Sequence, residues 1–309
     1  MINYLFILFI ALLVCIVYCR NRWIPHTDFT DLANTKNYVI FPMTSDQALE
    51  TIKRNQKNRI NNSTNLKIAL ISLSVGKGRK FSEVSKQRLY QYASLNGYSV
   101  EYFDKNIDIN YGPMWQKTLA VKKVLDKNIY DYVVWIDDDM YITNTSIKIE
   151  DFISLTDKDI ILSRDVFSSD ADLYINSGIF IIKNNIIGNG FINDTIDNYG
   201  LMNGSFKYKV YHEQSVMTYL FFTNYQKDIE VLPFNVMQSF NDLGMFKDFY
   251  DIFSNEKMSR DWREGDFISH FAGYSKDKRN ELMPKMVGKD KIVIINGKEY
   301  LVTRADWRK

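Results

Sequence analysis

The chain has 309 residues, 46% hydrophobic and 15% aromatic, enough to bury the core of one large α/β domain or two small ones. A formal net charge of +2, with Lys and Asp/Glu interspersed, lacks the basic patch of a nucleic-acid binder, so no nucleic-acid partner is expected. Both cysteines, Cys15 and Cys19, sit in an N-terminal apolar stretch, which excludes a disulfide or thiolate metal site from the rest of the chain.

Residues 2–19 carry no charge. Their length is at the lower edge for a membrane-spanning helix, which needs about 20 apolar residues. No basic residue precedes the run and no small-residue cleavage site follows it, so a retained anchor is expected over residues 1–19 rather than a cleaved signal peptide. Arg20 and Arg22 follow the run with no Lys or Arg before it, and the positive-inside rule then leaves the remainder in the cytosol. Asn-x-Ser/Thr sequons start at Asn61, Asn62, Asn144, Asn193 and Asn203, a number that so Asn-rich a chain reaches by chance. Residues 20–65, with Pro25, Pro42 and a basic stretch at 53–59, read as a stem. The basic stretch suits a solvated helix better than a contact with anionic lipid.

From residue 66 the pattern alternates. Residues 66–72 form a short apolar run, a buried strand, followed by a loop at Ser74-Val75-Gly76-Lys77-Gly78. Helical spacing over 81–95 stops at Asn96-Gly97, a C-cap signal. Residues 98–103 read as a strand, and 114–125, after Gly112-Pro113, as an amphipathic helix. Strands are expected at 132–136, 159–162 and 175–182, helices at 186–199 and 213–222, and a short strand at 267–270 ending in histidine. Asn296-Gly297 between two apolar runs marks a hairpin over 291–302. The order predicts an α/β domain over 66–309, with a mostly parallel sheet covered by helices on both faces.

The strongest signal is Tyr132-Val133-Val134-Trp135-Ile136-Asp137-Asp138-Asp139, a buried strand that ends in acid. Alternation sends Asp137 and Asp139 one way and Asp138 the other. Two adjacent carboxylates repel each other, and a divalent cation relieves both that repulsion and their desolvation. Ligands in open α/β sheets collect beyond the carboxyl ends of the strands, so the motif predicts a metal site that handles an anion such as a diphosphate. A solvated loop or a helix N-cap is the plainer alternative, but the apolar Met140-Tyr141-Ile142 follows at once.

Four blocks then occur in one order: Trp135-Ile136-Asp137-Asp138-Asp139, Asn176-Ser177-Gly178-Ile179-Phe180-Ile181-Ile182-Lys183-Asn184, His212-Glu213-Gln214-Ser215, and Gly265-Asp266-Phe267-Ile268-Ser269-His270-Phe271-Ala272-Gly273. Together with Asn96-Gly97-Tyr98 and Trp115-Gln116-Lys117, this set resembles glycosyltransferase family 34, over roughly residues 66–278. The resemblance implies a GT-A fold, a Rossmann-like three-layer sandwich, and a manganese-dependent retaining transferase, with magnesium as the alternative ion. It implies a nucleoside-diphosphate sugar donor of UDP or GDP, a glycan or glycoconjugate acceptor, and a secretory-pathway enzyme with its catalytic domain in the Golgi lumen. That orientation conflicts with the charge rule. A homodimer is admitted.

By position, Asp137 and Asp139 resemble the family's Asp-x-Asp pair and His270 its third metal ligand. One imidazole among oxygen ligands suits a first-row transition metal. The resemblance gives Asn176, Ser177 and Gly178 to the sugar, with a plain turn as the alternative. It puts Gln214 near the anomeric carbon and Glu213 on sugar hydroxyls, with a helix cap as the alternative for both. Asp137 and Asp138 fall in the nucleotide-binding stretch. Lys276 is expected on the diphosphate, with Lys278 as its rival. His212 stands where many relatives carry Asp, and Tyr274-Ser275 precede Lys276 where relatives often have Cys, departures that leave the donor sugar open. A haloacid-dehalogenase-type phosphatase also follows a strand with Asp-x-Asp, but its nucleophile lies on the first strand, and residues 66–72 hold no acid. An inactive, membrane-tethered sugar-binding or scaffold protein of the same fold is the non-enzymatic alternative.

Overall fold

The computed structural model describes residues 43–58, 66–165, 175–200, 212–241 and 261–308. The expected anchor, most of the stem and the sequons at Asn61, Asn62 and Asn203 lie outside the described residues. In chain order the elements are α1 (Ser45–Asn58), β1 (Ile68–Leu73), α2 (Lys80–Asn96), β2 (Ser99–Phe103), α3 (Gln116–Leu125), β3 (Tyr132–Ile136), β4 (Met140–Ile142), α4 (Ile149–Ile153), β5 (Ile160–Arg164), β6 (Ile175–Lys183), α5 (Ile186–Asp197), α6 (His212–Leu220), β7 (Ile229–Leu232), β8 (Ser239–Phe240), β9 (Ile268–His270), α7 (Lys276–Leu282), β10 (Asp290–Ile295) and β11 (Lys298–Thr303).

Six strands form the central sheet in the order β2-β1-β3-β6-β5-β7. Pairs β1–β2, β1–β3 and β5–β7 are parallel, while β6 is antiparallel to both β3 and β5. The sheet is thus mostly parallel with one reversed strand, and that reversal positions the site. β1, β2, β3 and β5 end at the edge where β6 begins, so Asn176, Ser177 and Gly178 lie beside the acids that follow β3. The Asp137 N–H donates to the Gly178 carbonyl at 2.8 Å.

Alternation divides the core as the sequence pattern predicts. Ala69, Ile71, Val133 and Trp135 pack on one face against α3, α5 and α6. Ile68, Leu70, Val134 and Ile136 pack on the other against α1, α2, α4, β4 and β9. Each fully buried Val, Leu or Ile contributes about 1.5–3 kcal/mol, so strands buried on both faces make this sheet the rigid part of the molecule. The C-cap at Gly97 is as expected. Its φ of 78° is left-handed, and its N–H donates to the Ala93 carbonyl.

The structure departs from the sequence reading in four places. The run at 114–125 opens with a 3₁₀ turn, Pro113–Trp115, and the run at 213–222 passes into a π turn, Phe221–Tyr225. Met140–Ile142 is a strand of a second small sheet, β4-β9-β8, entered by a turn in which the Met140 N–H meets the Asp137 carbonyl. Part of the expected stem, α1, belongs to the folded unit, because Ala48 and Ile52 are buried in the second core face. Its polar surface hid this from composition, since only an i, i+4 pair points inward.

Candidate active site

Asp137, Asp139 and His270 converge where β3 ends and β9 ends, with one ligand atom from each within 4.8 Å of the others. His270 Nε2 lies 3.4 Å from Asp139 Oδ1. A chain of hydrogen bonds fixes which imidazole nitrogen is free. The Gly178 N–H donates to Asn176 Oδ1 at 2.9 Å, which settles that atom as oxygen. Gln238 Nε2 donates to the same oxygen at 3.0 Å, so Gln238 Oε1 is the atom 2.8 Å from His270 Nδ1. His270 Nδ1 therefore carries the proton, and in the neutral ring Nε2 offers a lone pair toward a carboxylate oxygen. Two facing acceptors are satisfied by a cation, and a His and two carboxylates are a donor set for a first-row divalent metal.

Gly178 makes room for this arrangement. A Cβ there would stand 2.5 Å from Met140 Cε and 2.7 Å from His270 Cε1, so any side chain would displace the imidazole. The Asp139 carbonyl accepts the Phe271 N–H at 3.0 Å, which ties the acidic loop to the end of β9.

Lys117, from the first turn of α3, joins the carboxylates from behind. Its buried ammonium lies 3.1 Å from Asp137 Oδ1, 3.2 Å from Glu213 Oε1 and 3.2 Å from Ser177 Oγ. Burial disfavours its charge, but Asp137 and Glu213 outweigh this and raise its pKa above the ordinary lysine value. Burial pushes the Asp137 carboxyl up, with Asp139 adding to the rise and Lys117 opposing it. Burial acts on Asp139 in the same sense, but His270, Arg279 and Lys117 together hold its carboxyl well below the usual range. Trp135 Nε1 completes the Asp137 shell with a 2.6 Å hydrogen bond to Oδ1.

Ser177, Glu213 and Gln214 share one knot. Ser177 Oγ donates to Glu213 Oε1 at 2.9 Å, and the Ser177 N–H donates to Gln214 Oε1 at 3.0 Å. Glu213 Oε2 is buried with no hydrogen-bond partner among the described residues. Asn176 Nδ2 donates to Asp165 Oδ2 at 2.8 Å, and Gln214 Nε2 approaches the same oxygen at 3.5 Å. Asn176 thus spends both its amide atoms on the scaffold.

Asp138 points to the other side, as alternation requires. It accepts from Arg79 at 2.6 and 2.7 Å and from Ser82 at 2.6 Å. Arg79 and Ser82 line a pocket of about 410 Å³ beyond the ends of β1 and β2, with Ser74, Gly78, Tyr102 and Asp104. Burial and the Asp138 charge push the Tyr102 phenol up to about 12. Lys276 reaches the rim of this pocket, where a Cβ on Gly78 would lie 3.8 Å from its Nζ. Its rival Lys278 pairs with Glu281 at 3.0 Å on the exposed side of α7. The sequon at Asn144 is buried, its Nδ2 donating to the Gly265 carbonyl at 2.8 Å.

The sequence reading missed Arg79, Lys117, Asp165, Gln238 and Arg279 as parts of the site. Asp165 carried a usable signal, because the apolar run Ile160-Ile161-Leu162 also ends in acid. Lys117 had one in Trp115-Gln116-Lys117. Gln238 and Arg279 had none.

Residues 60–165, which span β1 to the end of β5 and include the three aspartates, match the galactosyl transferase GMA12/MNN10 family. The chain is a glycosyltransferase. The match agrees with the resemblance drawn from the motifs. The fold agrees with a solved glycosyltransferase involved in the glycosylation of the major capsid of PBCV-1, at a TM-score of 0.53 and 14% identity, covering 71% of this chain and 98% of that one. Other similar structures are the apo form of the glycosyltransferase GlyE of Streptococcus pneumoniae TIGR4, at 0.44 and 17%, covering 70% and 60%, and the galactosyltransferase LgtC, at 0.44 and 12%, covering 71% and 96%. No curated protein matches the chain. The glycosyltransferase fold is GT-A, with the acidic loop after β3 and the pocket after β1 and β2 opening on one edge of the sheet.

Proposed function

We propose that the chain is a metal-dependent, retaining hexosyl- or pentosyltransferase that takes a UDP- or GDP-sugar and glycosylates a hydroxyl of a glycan or glycoconjugate. The observation that carries this reading is His270 Nε2 turned toward Asp139, on a ring whose Nδ1 is held by Gln238 and, through it, Asn176. Asp137, Asp139 and His270 Nε2 would hold manganese. The ion supplies charge stabilisation to the departing diphosphate. Lys276, beside Gly78, adds a cation on the pocket side. Glu213 Oε2, buried and unpartnered among the described residues, suits a donor-sugar hydroxyl that brings the missing proton. Gln214 offers an amide that steadies positive character at the anomeric carbon without forming an adduct.

In this reading the bond from anomeric carbon to phosphate oxygen breaks first, and its electrons leave with the nucleoside diphosphate. The acceptor hydroxyl attacks the same face and passes its proton to the departing phosphate oxygen. A double displacement would require a carboxylate at the opposite face. Glu213 and Asp165 are the candidates, and both are held, the first by Lys117 and Ser177, the second by Asn176. Membrane anchoring through residues 1–19 and a lumenal catalytic domain belong to the same proposal. No helix among the described residues is long and apolar enough to cross a membrane.

The test is donor hydrolysis by the full chain in detergent, with a panel of UDP- and GDP-sugars, in manganese, magnesium or chelator, beside Asp139→Ala. Manganese-dependent release of one nucleotide, lost in Asp139→Ala, is expected. Equal release in chelator would remove the metal from the reading.

A further inference from the structure

The neighbouring aspartates of the acidic loop face opposite ways, yet each meets an arginine. Asp138 meets Arg79, and Asp139 Oδ2 meets Arg279 Nη2 at 2.8 Å. Both guanidinium groups lie over the buried ring of Phe81, at 4.9 Å for Arg79 and 5.7 Å for Arg279. Arg279 is braced again by its Nε, which donates to the Phe271 carbonyl at 3.0 Å. Phe271 is the residue whose N–H holds the Asp139 carbonyl. The neighbouring Asn280 locks α7 to the start of α2, accepting the Phe81 N–H at 3.2 Å and donating to the Gly78 carbonyl at 2.9 Å.

A fixed cation 2.8 Å from a metal-binding carboxylate repels the metal and lowers the charge that the carboxylate offers it. Arg279 orients Asp139 and helps keep it ionised, but beside a bound cation its own charge is a cost that nothing in a metal-only site offsets. The arrangement makes sense if a second, anionic ligand arrives beside the metal. Lys276 and Arg279 are three apart on α7 and so share a face, and Arg279 keeps 21% of its side chain exposed. A nucleoside-diphosphate sugar brings two negative charges and leaves with a third when its glycosidic bond breaks, and a planar guanidinium suits phosphate oxygens.

We infer that Arg279 is a metal-independent anchor for the donor diphosphate, set in advance by Phe81, Phe271 and Asp139. This rests on the transferase reading above. Calorimetry on the full chain in detergent would titrate manganese alone, and then UDP, GDP and inorganic pyrophosphate in chelator, into the wild type, Arg279→Met and Arg279→Lys. Arg279→Met should bind manganese alone at least as tightly as the wild type, and the diphosphates at least ten-fold more weakly, with Arg279→Lys recovering part of the loss. A structural prop would lose both affinities together, so weaker manganese binding in Arg279→Met overturns the inference, as does unchanged diphosphate binding. If Arg279→Met fails to fold, Arg279→Lys decides between the same outcomes. A wild type that binds no diphosphate under any condition sinks the donor reading, and the inference with it, whereas a wild type that binds normally isolates any failure to Arg279.

Discussion

Lys117 is buried with its ammonium between two carboxylates that serve different ends, Asp137 on the metal side and Glu213 on the sugar side. Removing one partner from a buried ion pair leaves an uncompensated charge in a low-dielectric place, at a cost of about 3–5 kcal/mol. Lys117→Met should lose that much in denaturant unfolding. The double variant Lys117→Met, Glu213→Gln should recover part of it, because one stranded charge is gone, while activity stays lost. Equal stability of the single and double variants would mean that the two carboxylates are not balanced through Lys117. Asp139 gives a prediction in pH. Its folded carboxyl lies below the unfolded value, so its contribution is present above about pH 4 and is lost as pH falls through the depressed folded value. Asp137 is raised, which has the opposite sign, so the two partly cancel in the wild type. The stability advantage of the metal-free wild type over Asp139→Asn should therefore shrink as pH falls below about 4, and an advantage that grew on acidification would contradict the pairing with Arg279 and His270.

At the scale of elements, the site depends on how two sheets meet. Asn176 on β6, Gln238 before β8 and His270 on β9 form one hydrogen-bonded line that begins at the Gly178 N–H. Gln238→Leu would leave the His270 Nδ1–H without an acceptor and free the ring to turn or change tautomer. Manganese affinity should fall about 10–100-fold, the usual effect of losing such an outer partner, with little loss of secondary structure by circular dichroism. Unchanged affinity would show that packing alone orients the imidazole. This line also shows where sequence reading stops. Strand β3 and its acids were legible because apolar alternation and sudden charge are both local. The Asn296-Gly297 hairpin and the Gly97 cap were legible because a special backbone angle selects its residue. The reversal of β6 was not, since a strand buried on both faces reads the same in either direction. Gln238 and Arg279 act through partners 32 and 140 positions away, His270 and Asp139, and nothing local marks them.

For the whole molecule, the boundary of the folded unit decides which protein can be studied. A division at residue 66 follows composition, but α1 lies before it and fills the second core face with Ala48 and Ile52, 0% and 1% exposed. The Ser45 hydroxyl also donates to the Phe234 carbonyl at 2.8 Å, and Asn55 Nδ2 to Ser154 Oγ at 2.9 Å, so the helix is tied to loops on two sides. Removing it would expose the apolar surface beneath and lose about 2–3 kcal/mol, most of it from Ile52. For a domain of this size that is on the order of 5–10 °C in Tm. A fragment starting at residue 66 should therefore unfold earlier than one starting at residue 43, and Ile52→Ala in the longer fragment should reproduce much of the difference. Equal Tm values would mean that α1 rests on the core without supporting it, and the folded unit would then begin at β1.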